Sequence, residues 1–252
     1  MTETALFPSL VIIWTALAFI VLPILFFIPA KYGRYLIKQG WSIPDAWGWV
    51  IMEAPAALMF TAMFLLGSHT NSLAAWIFLL MWMSHYIQRT FIYPFSQRKS
   101  QRRMPWQIVS LGFLFNMVNG YLNGRYLFEY SGGYPREWLL GWNFLLGAGL
   151  FVTGYVINRG ADRVLRDLRE RSTEEYAIPS TGLYRWVSCP NYLGEVVLWI
   201  GWAVATRSMA GLAFAVWTVA NLAPRAWAHH RWYHQQFEDY PPERKAMLPG
   251  IW

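Results

Sequence analysis

The 252-residue sequence is poor in cysteine and in charge. Its single cysteine, Cys189, excludes an internal disulfide bond and any metal site built from paired cysteines. Only 14% of the residues are Asp, Glu, Lys or Arg, whereas soluble domains carry about 25%. No GxGxxG motif follows a predicted strand and no phosphate-loop motif is present, so neither a Rossmann nor a Walker nucleotide site is predicted.

Apolar and aromatic residues are abundant instead, at 56% and 18% of the chain. A membrane-spanning helix needs about 20 mainly apolar residues. Seven segments fit this requirement, at residues 5–29, 47–67, 72–93, 106–128, 138–158, 192–206 and 208–228. We therefore predict an all-α, polytopic membrane protein with seven transmembrane helices in a single domain, residues 1–252. The last two segments are predicted to form a tight helical hairpin around Arg207.

The basic residues alternate between loops, and this alternation predicts the topology. The first, third and fifth loops and the C-terminal tail hold most of the Lys and Arg residues. The first and third hold Lys31, Arg34, Lys38, Arg98, Lys99, Arg102 and Arg103. The positive-inside rule then places the N-terminus outside and loop 159–191 and tail 229–252 in the cytoplasm. The net charge of +7 is thus explained by membrane topology rather than by nucleic-acid binding. The expected setting is multi-pass, in a bacterial inner membrane or its equivalent.

Two carboxylates, Glu53 and Glu195, fall inside the predicted helices. Ionisable residues within a membrane are costly and are functional candidates. Glu53 lies about 9 Å into its helix, at about 1.5 Å per residue, and Tyr86 on the next helix lies about as deep from the same face. A carboxylic acid beside a tyrosine hydroxyl provides two donors suited to a ketone oxygen or an enolate. A buried glutamate satisfied by a neighbouring polar group is the alternative.

A second set of polar residues recurs at helical spacing near the predicted cytoplasmic ends of three helices. The set comprises Asn158, Asp162, Arg166, Arg169, Asn191, Glu195, Arg225, His229 and Tyr233. Arginine suits phosphate, and amides and carboxylates suit ribose hydroxyls and a carboxamide. Each stripe alone is compatible with a solvated helix face, but their shared level favours an anionic cofactor. Arg89 and Arg103 are placed to join this rim.

Other polar residues are less specific. Asn119 lies about 13 residues into the fourth predicted helix, where it either lines a substrate pocket or joins helices by a hydrogen bond. His230 and His234 are four residues apart without a nearby carboxylate ligand, and no histidine pair has the HExxH spacing. No metal site is therefore predicted.

Three stretches closely resemble the membrane steroid 5α-reductases, or 3-oxo-5α-steroid 4-dehydrogenases. They are "HYIQRTFIYPF" (85–95), "GLYRWVSCPNYLGEVVLWIGWAVAT" (182–206) and "RAWAHHRWYHQQFEDYPPERKAMLPGIW" (225–252). The resemblance runs from about Trp47 to Trp252. The shorter string "PNYLGE" also resembles sterol reductases, enoyl reductases of fatty-acid elongation and isoprenylcysteine carboxyl methyltransferases, so it indicates only the superfamily.

The resemblance implies an NADPH-dependent enzyme that reduces the Δ4 double bond of 3-oxo-Δ4 steroids to 5α-reduced products. It implies hydride delivery to C5, a proton at C4, and Glu53 and Tyr86 at the C3 ketone. The implied NADPH contacts are Arg89, Asn158, Asp162, Arg169, Tyr176, Asn191, Glu195, Arg225, His229 and Tyr233, with Arg169 or Arg103 at the 2′-phosphate. The expected partners are a steroid-like lipid and the bilayer, without nucleic acid or an obligate protein.

Three alternatives stay open. The first is a reductase of another enone or enoyl lipid, and the second is an S-adenosylmethionine-dependent membrane methyltransferase. The third is a lipid or sterol binder without catalytic activity. Glu53 and Tyr86 favour reduction over methyl transfer, because methylation of a carboxylate has no use for a ketone clamp.

Overall fold

The computed structural model describes residues 2–28, 40–96, 103–171 and 176–252, and these residues are mostly helical. The α-helices are α1 (Glu3–Phe27), α2 (Asp45–Leu66), α3 (Leu73–Ile87), α4 (Tyr93–Ser96), α5 (Trp106–Arg125), α6 (Trp142–Arg171), α7 (Pro190–Thr206) and α8 (Met209–Gln236). Single π-helical turns follow α3 and α5 at Gln88–Ile92 and Tyr126–Tyr130, and 3₁₀ turns occur at Arg136–Leu140 and Gly182–Arg185. The predicted helical class is confirmed.

Three of these helices are long and apolar enough to cross a membrane, namely α1, α2 and α6. On α1, Ile12, Phe19 and Ile20 are 64%, 62% and 58% exposed, as expected of a surface in contact with lipid. Passage of the other helices through the bilayer, and the orientation of the termini, stay predictions. Residue 29 of the first predicted helix and the basic residues Lys31, Arg34, Lys38, Arg98, Lys99 and Arg102 lie outside the described residues.

Helices α6 and α8 extend beyond the predicted apolar segments, α6 to Arg171 and α8 to Gln236. Both extensions are helical, as the spacing of the polar residues in 158–169 and 225–233 predicts. The all-α prediction leaves out a small antiparallel sheet of β1 (Ser42–Pro44) and β2 (Arg103–Pro105), in which Ile43 faces Met104. Both strands end in an X-Pro pair, which disfavours the α conformation and favours an extended one.

The chain divides into two compact units, Met1–Phe7 with Lys31–Leu145 and Pro8–Ala30 with Leu146–Trp252. In the first unit, α2 and α5 pack closely because glycines on α5 face α2. A Cβ added at Gly120 would lie 3.0 Å from the Ala56 carbonyl oxygen, and one at Gly124 would lie 2.7 Å from Met63 Cβ. Small residues let helix backbones approach in this way. The α2–α5 contact fixes where Glu53 lies relative to the side chains of α5.

In the second unit, glycines pair α6 with α7 in antiparallel fashion. Gly147 and Gly154 on α6 face Gly201 and Gly194 on α7, and an added Cβ at any of the four would overlap the backbone of the opposite helix. This packing sets Asn158 of α6 against the first turn of α7. The predicted hairpin is present, since α7 ends at Thr206 and α8 begins at Met209, with Arg207 at a positive φ of 45°.

Candidate active site

Asn116 of α5 links Glu53 of α2 to Tyr86 of α3. Its Nδ2 donates to Glu53 Oε2 at 3.3 Å and to the Met52 carbonyl oxygen at 2.8 Å. The Tyr86 hydroxyl donates to Asn116 Oδ1 at 3.4 Å. The structure thus brings the two residues predicted for catalysis into one network, through a residue that the sequence pattern had not singled out.

Two further asparagines of α5 continue this network. Asn119 Nδ2 donates to the Tyr86 hydroxyl oxygen at 3.4 Å, and Asn123 Nδ2 donates to Asn119 Oδ1 at 3.0 Å. Asn116, Asn119 and Asn123 are 5%, 1% and 1% exposed. Three buried asparagines at i, i+3 and i+7 of an apolar helix share one face, and this spacing was the signal that would have identified Asn116. A role for Asn119 in a substrate pocket stays a prediction.

Arg89 lies in the same unit, on the π-helical turn after α3. Its Nε is 3.7 Å from Glu53 Oε1, and its guanidinium lies over the rings of Trp49 and Tyr93, at 4.6 Å and 5.3 Å from their centroids. Glu53 is an acceptor in this arrangement, so it must take up a proton to donate a hydrogen bond to a ketone. The predicted cofactor contact of Arg89 is not tested by this geometry.

Arg103 is exposed at the start of β2. Its Nε donates to Ser42 Oγ at 3.0 Å, and its Nη2 donates to the Ser42 carbonyl oxygen. These bonds tie β2 to β1 just before α2. A phosphate contact by Arg103 stays a prediction.

In the second unit, Asn158 joins α6 to the start of α7. Its Nδ2 donates to the Asn191 carbonyl oxygen at 3.0 Å and to Glu195 Oε2 at 3.5 Å. Asn191 Nδ2 in turn donates to Asp162 Oδ1 at 3.5 Å. Four residues of the predicted cofactor set therefore lie together, and they offer both donors and acceptors.

Tyr192 connects this group to α8. Its hydroxyl accepts a hydrogen bond from Arg225 Nε at 3.0 Å and lies 3.1 Å from His229 Nε2. Tyr192 had not been singled out, although it lies within "PNYLGE", next to Asn191. Two of the three predicted residues of α8, Arg225 and His229, thus contact the same hydroxyl group.

The remaining predicted cofactor residues have separate surroundings. The Tyr233 ring stacks on Tyr240 at 5.1 Å, and the Tyr176 ring meets Trp232 edge-on at 5.0 Å. Arg166 Nε lies 3.7 Å from Asp167 Oδ1 on the same helix, and Arg169 is exposed near the end of α6. Contacts of these side chains with a cofactor stay predictions.

Tyr184, in the 3₁₀ turn Gly182–Arg185, carries a buried hydroxyl. Its side chain is 1% exposed, and its hydroxyl finds no hydrogen-bond partner among the residues that the structure describes. Burial, with the negative charge of Asp162 acting in the same direction, raises the pKa of Tyr184 well above its ordinary value. The group is therefore a neutral donor. An unsatisfied buried donor costs about 1–3 kcal/mol, and a ribose or phosphate oxygen would satisfy it. This donor, with the amides and carboxylates around it, fits a nicotinamide nucleotide.

The C-terminal segment holds the residues that precede α7. The backbone N–H groups of Ser188 and Cys189 donate to the carbonyl oxygens of Lys245 and Ala246, at 2.8 Å and 3.0 Å. Ser188 Oγ lies 2.7 Å from His230 Nδ1 and 2.7 Å from the Tyr240 hydroxyl. These contacts hold the two residues before α7 in place, and they thereby position Asn191 in its first turn. In the described part of the chain, no three His, Cys, Asp or Glu side chains gather as metal ligands.

The chain is similar to known proteins over its whole length. The family model described as 3-oxo-5-alpha-steroid 4-dehydrogenase matches residues 102–252. The chain is 39% identical over 256 residues to 3-oxo-5-alpha-steroid 4-dehydrogenase 1 of Bos taurus, covering 100% of this chain and 99% of the relative. It is 38% identical over 234 residues to Steroid 5-alpha-reductase DET2 of Gossypium hirsutum, covering 90% of each. The chain belongs to the 3-oxo-5-alpha-steroid 4-dehydrogenase family.

A third steroid dehydrogenase, 3-oxo-5-alpha-steroid 4-dehydrogenase 2 of Sus scrofa, is 39% identical over 229 residues, covering 88% of each chain. The range matched by the steroid dehydrogenase model contains Asn116 and the cluster around Glu195. Glu53 and Tyr86 precede it, but they fall within the full-length similarity to the bovine enzyme. Family membership therefore rests on both units.

Proposed function

We propose that this enzyme reduces the Δ4 double bond of a 3-oxo-Δ4 steroid to the 5α-reduced 3-oxo steroid, with NADPH as the reductant. Membership of the steroid dehydrogenase family supports the reaction class. The observation that carries the proposal is the hydrogen-bonded arrangement of Glu53, Asn116 and Tyr86. It joins a carboxyl group and a hydroxyl group through one amide, and these are the two groups that the proposal uses to polarise a ketone.

In this proposal, the Tyr86 hydroxyl and the protonated Glu53 carboxyl donate to the C3 ketone oxygen of the steroid. Negative charge develops on that oxygen as the double bond is reduced. Donors already oriented in a site without water stabilise such charge more than water does, because they need no reorganisation. A proton is then added at C4 to complete the reduction.

The proposed cofactor residues are Arg89, Arg103, Asn158, Asp162, Arg166, Arg169, Tyr176, Asn191, Glu195, Arg225, His229 and Tyr233. Arg169 or Arg103 is the proposed contact of the 2′-phosphate. NADPH, when bound, supplies the hydride that C5 of the steroid receives. The protein side chains hold its amide, ribose and phosphate groups by hydrogen bonds and charge. Tyr184 adds one donor to this set.

The proposed setting is a multi-pass protein in the membrane, with the N-terminus outside and the cofactor site on the cytoplasmic side. The exposed apolar face of α1 and the three helices long enough to span support contact with lipid. A steroid partitions into the bilayer, so we propose lateral entry of the substrate. NADPH enters from the cytoplasm.

The test is an assay of the purified protein in detergent, with progesterone or testosterone as substrate. Oxidation of NADPH is followed by absorbance, and the product is compared with 5α and 5β standards by chromatography and mass spectrometry. Steroid-dependent oxidation with two hydrogens added at C4–C5 on the 5α face is expected. Binding of NADPH without steroid turnover would move the proposal to another enone lipid. Failure to bind NADPH would exclude a reductase and favour the methyltransferase alternative.

A further inference from the structure

The side-chain amide of Asn116 has only one orientation that satisfies its neighbours. Its Nδ2 lies 2.8 Å from the Met52 carbonyl oxygen, and a backbone carbonyl can only accept a hydrogen bond. The NH₂ group must therefore face Met52 and Glu53. Asn116 Oδ1 is left facing the Tyr86 hydroxyl, which must donate to it.

The far end of the network is fixed in the same way. Asn123 Nδ2 lies 3.1 Å from the carbonyl oxygen of Asn119 and 3.0 Å from Asn119 Oδ1. Because the backbone carbonyl only accepts, the NH₂ group of Asn123 faces it. Asn119 Oδ1 then accepts from Asn123, and Asn119 Nδ2 is the end that donates to Tyr86.

Two backbone carbonyls thus give the whole network one direction. Donation runs from Asn123 to Asn119, to Tyr86, to Asn116 and to Glu53. Hydrogen bonds arranged in series polarise one another in surroundings of low dielectric constant. The hydroxyl hydrogen of Tyr86 consequently points at Asn116, while its oxygen receives a donor from Asn119.

We propose that Asn116 is a positioning residue that orients Glu53 and Tyr86 and holds the Tyr86 hydroxyl hydrogen on an uncharged acceptor until a ketone oxygen replaces it. The inference rests on the proposed function, since it assigns the partner of Tyr86 before substrate binds. The Tyr86–Asn116 bond is 3.4 Å long, longer than the usual range of about 2.5–3.0 Å for an O–H donor. The bond is therefore weak, and replacing it by a bond to the ketone costs little. Asn119 keeps its donation to the Tyr86 oxygen throughout and supports charge there.

The first test compares Asn116→Leu, Tyr86→Phe and the double variant in the steroid assay. Asn116→Leu keeps the approximate volume and removes both ends of the amide. It should lower kcat by about 10- to 100-fold, because a misplacement of about 1 Å in a catalytic group can cost about 100-fold. The KM for steroid and the NADPH dissociation constant should change little. In the Tyr86→Phe background the further loss in kcat should be much smaller, since both changes remove the same contact.

The matched control is Asn71→Leu, the same chemical change at an exposed position in the loop before α3. It should leave kcat, KM and the melting temperature as in the unmodified protein. Two results would overturn the inference. One is an Asn116→Leu enzyme that keeps full kcat, and the other is an equal fold-loss with and without the Tyr86 hydroxyl.

The melting temperatures of the same variants give a second cycle that needs no substrate. Each single change leaves a buried polar partner unsatisfied, whereas the double variant removes both partners, so its loss should be smaller than the sum of the two single losses. Additive losses would contradict the proposed contact. If the unmodified protein does not reduce a steroid, the proposed function fails, and this melting cycle still decides whether Asn116 and Tyr86 are coupled.

Discussion

Glu53 and Glu195 are glutamates in apolar helices, and each accepts a hydrogen bond from an asparagine on a neighbouring helix. The distances are 3.3 Å from Asn116 and 3.5 Å from Asn158. Their surroundings differ. Around Glu53, side chains of α2, α3 and α5 bond to one another in series. Around Glu195, the backbones of α6 and α7 are in close contact at facing glycines. This backbone contact sets the positions of the side chains of Asn158 and Glu195.

This difference suggests two ways of placing a carboxylate. A network of side chains fixes individual atoms and their hydrogens, which is what a reaction at one ketone requires. A close contact between two helix backbones fixes the positions of both helices, and several polar side chains on them can then contact a large ligand. A change of one side-chain atom should therefore impair chemistry in the first unit. An added methyl group should impair folding most in the second unit, where glycines of both helices face each other and an added Cβ would overlap backbone atoms.

The largest effect is expected for Glu53→Gln. The amide keeps the shape of the side chain, and its NH₂ group can still donate a hydrogen bond. It is a far weaker acid than a carboxyl group, however, so it stabilises the charge on the ketone oxygen much less. We expect a loss of about 100-fold in kcat, at the lower end of the cost of removing an oriented donor. Turnover in the steroid assay should fall by that amount. The exposed Glu137→Gln serves as control, and an active Glu53→Gln enzyme would refute the ketone clamp.

The second comparison is between two glycines on α6. An added Cβ at Gly154 would overlap the backbone of Leu198 and Gly194, whereas one at Gly149 meets nothing within 4 Å. Gly154→Ala should lower the free energy of unfolding by about 1–3 kcal/mol through overpacking. Gly149→Ala should raise it by about 0.5–1 kcal/mol through helix propensity. Thermal unfolding in detergent measures both, and equal effects of the two changes would argue against the glycine contact.

The smallest effect concerns His230, which bonds Ser188 before α7. Burial, with the positive charges of His234 and Lys245 adding to it, lowers the pKa of His230 from 6.5 to about 4. The unfolded chain therefore binds a proton that the folded chain does not, and stability should be lost as the pH falls from 6.5 towards 4. His230→Gln should show a flatter melting temperature over this range. An unchanged pH dependence in the variant would show that other groups cause it.

Patterns along the chain predicted what depends on local periodicity and left out what depends on contact between helices. The long apolar runs gave the helices, and helical spacing grouped Asn158 with Asp162 and Asn191 with Glu195. Asn116 and Tyr192 were not predicted, because their importance comes from partners on other helices. The continuation of α6 beyond residue 158 was predicted by the helical spacing of its polar residues from Asn158 to Arg169, although the apolar run ends there.

The most direct test of the division between the two carboxylates is the NADPH dissociation constant of Glu53→Gln and Glu195→Gln, measured by quenching of tryptophan fluorescence without steroid present. We expect Glu195→Gln to weaken NADPH binding at least several-fold, whereas Glu53→Gln should bind NADPH as the unmodified protein does. Weakened binding in Glu53→Gln together with unchanged binding in Glu195→Gln would contradict it.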